Sequence, residues 1–298
     1  MTRVNEPVAV ESVPAKQESG SKTIRLWTQS ITDLTVLPGY ADTLKNHARR
    51  VCSPNTVIDV HGIRPGSYPN GLAPIQVTKY FWAEHLLKAQ LVENIMRAER
   101  EGYDAVAISC FLDPGMEEAR TVVDIPVVSS CETALLVSSV IGRSFGMLCI
   151  DEHMAEQVRT LVRAYGFQDR VKIIETLNPP FTEHELDRAF AGSPAFVERF
   201  SKQASRLVEA GVDVIIPAEG VINTVLVRNQ VHQVAGVPVL DSYGTLVAFA
   251  EMLVQLRRRA GLCVGRRGDY LRPSPDLVAH LRRVTIDSLK DAQDGNGK

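Results

Sequence analysis

Gly102-Tyr103-Asp104-Ala105-Val106-Ala107-Ile108-Ser109-Cys110 and Gly211-Val212-Asp213-Val214-Ile215-Ile216-Pro217-Ala218-Glu219 are two copies of one phrase. In each, a glycine follows a charged stretch of helical periodicity, an aspartate follows one residue later, and four mostly apolar residues read as a buried strand. A second apolar run then comes after a short interval: Asp124-Ile125-Pro126-Val127-Val128 in the first copy and Gly236-Val237-Pro238-Val239-Leu240 in the second. The phrase is therefore an internal duplication of a helix-strand-loop unit. Its two copies end on different reactive side chains, a thiol at Cys110 and a carboxylate at Glu219.

Working outward, Thr23 to Trp27, Val57 to Val60, Ser144 to Ile150 and Val171 to Ile174 read as further strands. Phe81 to Glu101, Glu152 to Tyr165, Ala195 to Ala210, Ala248 to Arg259 and Pro273 to Lys290 read as helices. Strands alternating with helices predict an α/β protein with mainly parallel sheets flanked by helices, and in such sheets ligands lie beyond the carboxyl ends of the strands. Cys110 and Glu219 both fall at that end. The loop after Val60, with Gly62, Pro65, Gly66, Pro69 and Gly71, is long enough to suggest a functional role. Residues 1–21 read as a disordered leader and 291–298 as a disordered tail.

At 298 residues the chain exceeds the common single-domain size, and a hydrophobic content of 45% supports substantial cores. A net charge of -2 gives no electrostatic footprint for nucleic acid, and no apolar run approaches the roughly 20 residues that span a bilayer. The first 22 residues lack an apolar signal region, so a cytoplasmic location is expected. Five scattered cysteines, without a CxxC pair, predict neither a disulfide framework nor a structural metal site. Neither GxGxxG nor a Walker A sequence occurs, so no cofactor is expected. The arginines at 257–259 and 266–267 read as a solvated helix end and loop rather than an anion site. A small-molecule substrate is the expected partner; assembly into a homo-oligomer is left open.

Beyond these local readings, the chain resembles the aspartate/glutamate racemase superfamily, and within it the hydantoin racemase branch. The resemblance rests on Ser109-Cys110-Phe111 with Asp113-Pro114-Gly115, on Asp124 to Val128 with Glu132, and on Gly142-Arg143-Ser144-Phe145. Tyr165-Gly166 and Gly236 to Val239 with Asp241 complete it, over roughly residues 23 to 256. It implies two similar lobes related by a pseudo-twofold axis, with the active site in the cleft between them. The expected lobes are 22–127 plus 238–290, and 128–237. It also implies cofactor-free chemistry in which a cysteine from each lobe faces the acidic carbon, one removing a proton and the other returning one. The first cysteine matches Cys110. The second maps onto Glu219, a departure, and Thr28-Gln29-Ser30 stands where the family usually has an asparagine-rich loop.

A Cys/Glu pair suits asymmetric chemistry, with Cys110 as nucleophile and Glu219 as general acid and base directing water. The leading expectation is hydrolysis of a five-membered cyclic ureide or thioureide, such as a 2-thioxo-imidazolidinone losing hydrogen sulfide to give a hydantoin. Racemisation with Cys110 and Glu219 as the two proton carriers is the alternative, decarboxylation a further family chemistry, and a non-catalytic two-lobed ligand sensor the reading from another class. Candidate substrate contacts are Gln29, Ser30, His61, Arg64, Phe111, Ser130, Cys131, Glu132, Gly220 and Asp241. For several of these a structural role competes: burial for Cys131, a helix start for Glu132, a solvent-facing loop for His61 and Arg64, and an N-cap for Asp241.

Overall fold

The computed structural model describes residues 22–69, 72–190 and 194–287; the expected leader and tail and Gly71 lie outside them. The first half of the chain runs β1 (Ile24–Gln29), α1 (Pro38–Val51), β2 (Thr56–His61), α2 (Pro74–Thr78), α3 (Phe81–Arg100), β3 (Ala105–Ile108), α4 (Met116–Val122) and β4 (Val127–Ser129). Then come α5 (Ser130–Ile141), β5 (Phe145–Cys149), α6 (Glu152–Ala164), β6 (Val171–Thr176), α7 (Glu183–Ala189), α8 (Pro194–Glu209) and β7 (Val214–Pro217). The chain closes with α9 (Gly220–Arg228), β8 (Gln233–Val234), β9 (Val237–Pro238), α10 (Ser242–Ala260) and α11 (Pro275–Arg282).

Two parallel sheets form, in the orders β2-β1-β3-β4 and β6-β5-β7. A parallel bridge between Ile215 and Val239 sets a residue of the last apolar run beside β7, where β4 lies beside β3. The two halves thus repeat one strand order, as the duplicated phrase requires. The second copy departs at this edge. Ala235 and Gly236, with φ of 47° and 82°, form a tight turn that folds β9 back onto β8 as an antiparallel hairpin.

The doubled Gly-x-Asp has a physical cause. Gly102 and Gly211 take φ of 78° and 73°, the left-handed conformation that ends α3 and α8 without Cβ strain. Each aspartate then pins the neighbouring strand: Asp104 accepts the Arg25 amide at 2.9 Å, and Asp213 accepts the Arg143 and Ser144 amides at 2.8 and 2.9 Å. The strands that follow, β3 and β7, are buried throughout, whereas the edge strands β2 and β6 are half-exposed. Trp27, Leu91, Ile95 and Ile108 fill the space between the first sheet and α3. Phe196 and Phe200 do the same between the second sheet and α8, and Phe145 packs against Phe167 beyond the end of α6. Each such side chain contributes about 1.5–3 kcal/mol by leaving water.

In the basic C-terminal region Arg259 and Arg267 are exposed, as a solvated helix end and loop would have them, while Arg258 and Arg266 are partly buried and engaged. Arg266 donates to the carbonyls of Arg120 and Val123 and to Asp124, Arg272 pairs with Asp124, and Arg258 donates to the carbonyls of Lys22 and Thr23. These forks staple residues 258–272 along the first sheet and its N-terminal strand.

Candidate active site

At the carboxyl ends of β1, β3 and β7 the chain encloses a cavity of about 450 Å³, its open mouth included. Ser30, Ile31 and Thr32 come from the end of β1, Ser109, Cys110, Phe111 and Leu112 from the end of β3, and Glu219, Gly220 and Val221 from the end of β7. Pro74, Ile75 and Thr78 of α2, Tyr40 of α1, Met154 of α6 and Glu183 of α7 complete the wall. A smaller space adjoins it through Tyr40, Ser109, Phe111, Glu219 and Gly220, and is lined deeper in by Ser130, Asn223, Ser242 and Tyr243.

Cys110 and Glu219 hold equivalent positions, each two residues past its strand. The register shows the equivalence: the Ser109 amide donates to the Gln29 carbonyl of β1, and the Ala218 amide donates to the Leu148 carbonyl of β5. After them the copies diverge. Glu219 caps α9 directly, its Oε2 accepting the Ile222 amide at 2.7 Å. Cys110 is followed by a turn in which the Asp113 amide donates to its carbonyl, and α4 begins only at Met116.

Gly220 explains how the two strand ends approach so closely. A Cβ there would lie 2.8 Å from the Tyr40 hydroxyl and 3.4 Å from the Ser109 carbonyl oxygen, so any larger side chain would force the walls apart. α7 closes the opposite side. Its Asp187 accepts the Tyr40 amide at 2.8 Å, and Glu183 accepts the Ile75 amide at 2.9 Å. One short helix therefore caps two helices of the other half with carboxylates one turn apart.

The cavity's ionisable lining is acidic. Burial pushes the Glu219 carboxyl above the usual carboxylate range against the pull of the Val221, Ile222 and Gly220 amides. Burial, with the charge of Glu219 nearby, also raises Glu183 above the usual carboxylate range. The Cys110 thiol is also raised, by burial and by Asp113, Glu84 and Glu219, while the Leu112 amide works the other way. Burial and the Glu219 and Cys110 charges likewise hold the Tyr40 phenol neutral. Among the described residues lining the cavity there is no Lys, Arg or His, and no group of three or more His, Cys, Asp or Glu is placed to hold a metal ion.

Of the residues singled out in the sequence, the structure brings Cys110, Glu219, Ser30, Phe111 and Gly220 to the main cavity and Ser130 to its deeper extension. The others lie elsewhere. Gln29 turns inward, accepting from Trp27 Nε1 at 2.9 Å and donating to the Ser30 carbonyl. His61 stacks on Trp27 with ring centroids 3.4 Å apart, its pKa lowered by burial and by Arg97. Arg64 is exposed. Cys131 is fully buried, and its amide and that of Glu132 are taken by Asp113, so neither amide is free for a ligand. The Glu132 side chain pairs with Arg120 at 2.5 Å. Asp241 caps α10 and meets His47 Nε2 at 2.6 Å. Because the Arg50 guanidinium can only donate, His47 Nδ1 is the acceptor and Nε2 carries the proton to Asp241.

Sequence reasoning passed over Tyr40, Glu183 and Asp113. For Tyr40 the signal was Pro38-Gly39, a helix start. For Glu183 it was the capping box Thr182 to Glu185, which fixes α7. Asp113 stands at φ 49° and accepts from Ser129 Oγ, the Cys131 and Glu132 amides and Tyr165 Oη at 2.6–2.9 Å. It holds the turn that carries Cys110.

Residues 39–250 match the model of a family described as Asp/Glu/hydantoin racemase. A hydantoin racemase from Paenarthrobacter aurescens is 28% identical over 235 residues, 78% of this chain and 92% of that protein. One from Pseudomonas sp. (strain NS671) is 29% identical over 190 residues, 63% of this chain and 73% of its own. The solved allantoin racemase from Klebsiella pneumoniae superposes with a TM-score of 0.70 at 24% identity, over 85% of this chain and 94% of that one.

Proposed function

Because the chain belongs to the Asp/Glu/hydantoin racemase family, we propose that it is a cofactor-independent isomerase of a five-membered cyclic ureide, moving a proton at the ring carbon next to a carbonyl. The observation that carries this reading is the pairing of Cys110 and Glu219 at equivalent strand ends of one cavity. The named relatives turn over rings of this class, and the lack of a lining cation suits an uncharged ring. Glu219 is the base and the Cys110 thiol the acid in one direction. The carboxylate takes the ring proton, the electron pair moves onto the carbonyl oxygen, and it returns to carbon as the thiol proton is delivered from the other face. The reverse direction starts from the thiolate and the carboxylic acid.

One observation favours a second reading, the hydrolytic one. The two carriers are chemically unequal, and burial disfavours the thiolate that every second turnover of a racemase requires. In that reading Glu219 takes the thiol proton as Cys110 adds to the C2 carbon of a 2-thioxo-imidazolidinone. Sulfide leaves, and water directed by Glu219 releases the hydantoin.

Incubation with an optically pure 5-substituted hydantoin in deuterated water separates the readings. Loss of rotation with one deuterium at C5 supports the isomerase. Sulfide release from the 2-thioxo analogue, with water oxygen entering C2 and rotation retained, supports hydrolysis instead. Ligand binding without either reaction would leave the protein a sensor.

A further inference from the structure

Glu183 is the second carboxyl of the cavity, and neither carrier role uses it. It arrives from α7, is only 4% exposed, and shares the cavity with Cys110 and Glu219. One oxygen, Oε2, accepts the Ile75 amide at 2.9 Å. No hydrogen bond to Oε1 is found among the described residues. The Ser109 hydroxyl, which lines the same cavity, is buried without a partner. The cavity thus holds one buried hydroxyl, that of Ser109, that nothing in the protein satisfies, a costly arrangement unless a ligand completes it.

Two carboxyls lining one cavity without a lining cation disfavour each other's ionisation. The amides at the start of α9 stabilise charge on Glu219. Glu183 has one amide, from Ile75, to set against burial and against Glu219, so it is the carboxyl of the two that more readily keeps a proton. With Oε2 already accepting, that proton sits on Oε1.

We propose that Glu183 is a third catalytic residue, a neutral carboxylic acid whose Oε1 proton is donated as a hydrogen bond to the substrate's ring carbonyl oxygen. This rests on the isomerase reading and deepens it. As Glu219 removes the ring proton, the electron pair moves onto that oxygen, and the hydrogen bond shortens as charge develops there. When Cys110 delivers its proton to carbon, the pair returns and Glu183 keeps its own proton. No group is oxidised or reduced, and the site ends with Glu219 protonated and Cys110 as thiolate.

The test uses two variants of the full chain. Glu183→Gln keeps an acceptor for the Ile75 amide and an N–H donor for the ligand but cannot ionise; Glu183→Ala has neither. The groups facing Glu183 are Glu219, Asp151 and Tyr68, and all stay in place. Infrared difference spectra of the parent against Glu183→Gln at neutral pH, without ligand, should show a protonated carboxylic acid in the parent alone. Proton exchange at the ring carbon should fall about a hundredfold in Glu183→Ala through kcat, the scale of one acid catalyst, and largely survive in Glu183→Gln. The alkaline loss of activity set by the acid should disappear in the Gln variant while the acid limb set by Glu219 remains. A parent spectrum showing Glu183 ionised overturns the proposal whether or not any hydantoin is turned over. Equal pH profiles in the parent and Glu183→Gln, with full exchange in Glu183→Ala, overturn it while leaving the isomerase reading intact. Absence of exchange in the parent overturns that reading and the catalytic role with it.

Discussion

Tyr165, at the end of α6, donates its phenolic proton to Asp113 at 2.9 Å, tying the second half of the chain to the turn that presents Cys110. The same carboxylate holds the start of α5 through two amides. Tyr165→Phe should therefore lower stability by about 1 kcal/mol, the typical net worth of such a bond, and reduce turnover by loosening the Cys110 turn. Urea unfolding alongside steady-state kinetics checks both.

Asp113 also links stability to pH. Burial raises its pKa to about 6 in the folded protein despite four donors. A carboxyl raised on folding binds its proton more tightly in the native state, so the stability it contributes is complete below its unfolded value near 4. That contribution is lost as pH climbs through about 6. Subtracting the unfolding free energies of Asp113→Asn from those of the parent across pH 4 to 7 should give a difference that falls with rising pH. A flat difference would contradict the assignment.

Glu219 serves as helix cap and cavity carboxylate together, and two substitutions part these roles. Glu219→Gln keeps an acceptor for the Ile222 amide, and should fold like the parent while losing activity by at least about a hundredfold. Glu219→Ala should lose activity equally and also about 1 kcal/mol of stability with the cap. Since its pKa is raised, activity that needs the carboxylate should fall with decreasing pH from a point higher than an ordinary glutamate would set. Thermal melts and a pH-rate profile give the readouts.

For Cys110 the raised thiol pKa predicts slow alkylation at neutral pH, faster as pH rises and slower still when a hydantoin fills the cavity. Mass spectrometry of iodoacetamide-treated protein would resolve it from the exposed Cys263. Cys110→Ser should fold and bind but lose turnover by about a hundredfold or more.

Gly220→Ala should cost about 1–3 kcal/mol, as overpacking does, because its Cβ would stand 2.8 Å from the Tyr40 hydroxyl. Tyr40→Phe removes the atom in conflict. The double variant should regain much of the loss, giving a coupling that independent sites would not show.

The parts legible in the sequence were those with a local cause. Gly102 and Gly211 announced helix ends and Asp104 and Asp213 strand starts because each acts on neighbours in its own unit or the adjacent strand. The cavity residues read from the strand ends, Cys110, Phe111, Glu219 and Gly220, follow from that register. His61 and Gln29 also sit at strand ends but face the other way, drawn into the Trp27 stack and its hydrogen bond. Strand alternation settles which side such a residue faces, and the rim of a sheet is where that alternation gives out. Tyr40 and Glu183 reach the cavity from helices remote in sequence, and no local pattern relates α7 to the starts of α1 and α2. Asp113 was visible as part of a turn, yet its four donors come from two segments, 129–132 and Tyr165, that lie well beyond it in sequence.

The chain passes between its two sheets twice, leaving the first after Ser129 and returning to α10 after the Val239 bridge. Across those two crossings the halves also meet through α7, whose Asp187 and Glu183 accept amides at the starts of α1 and α2, so a single helix carries the side-chain contacts that close this wall of the cavity.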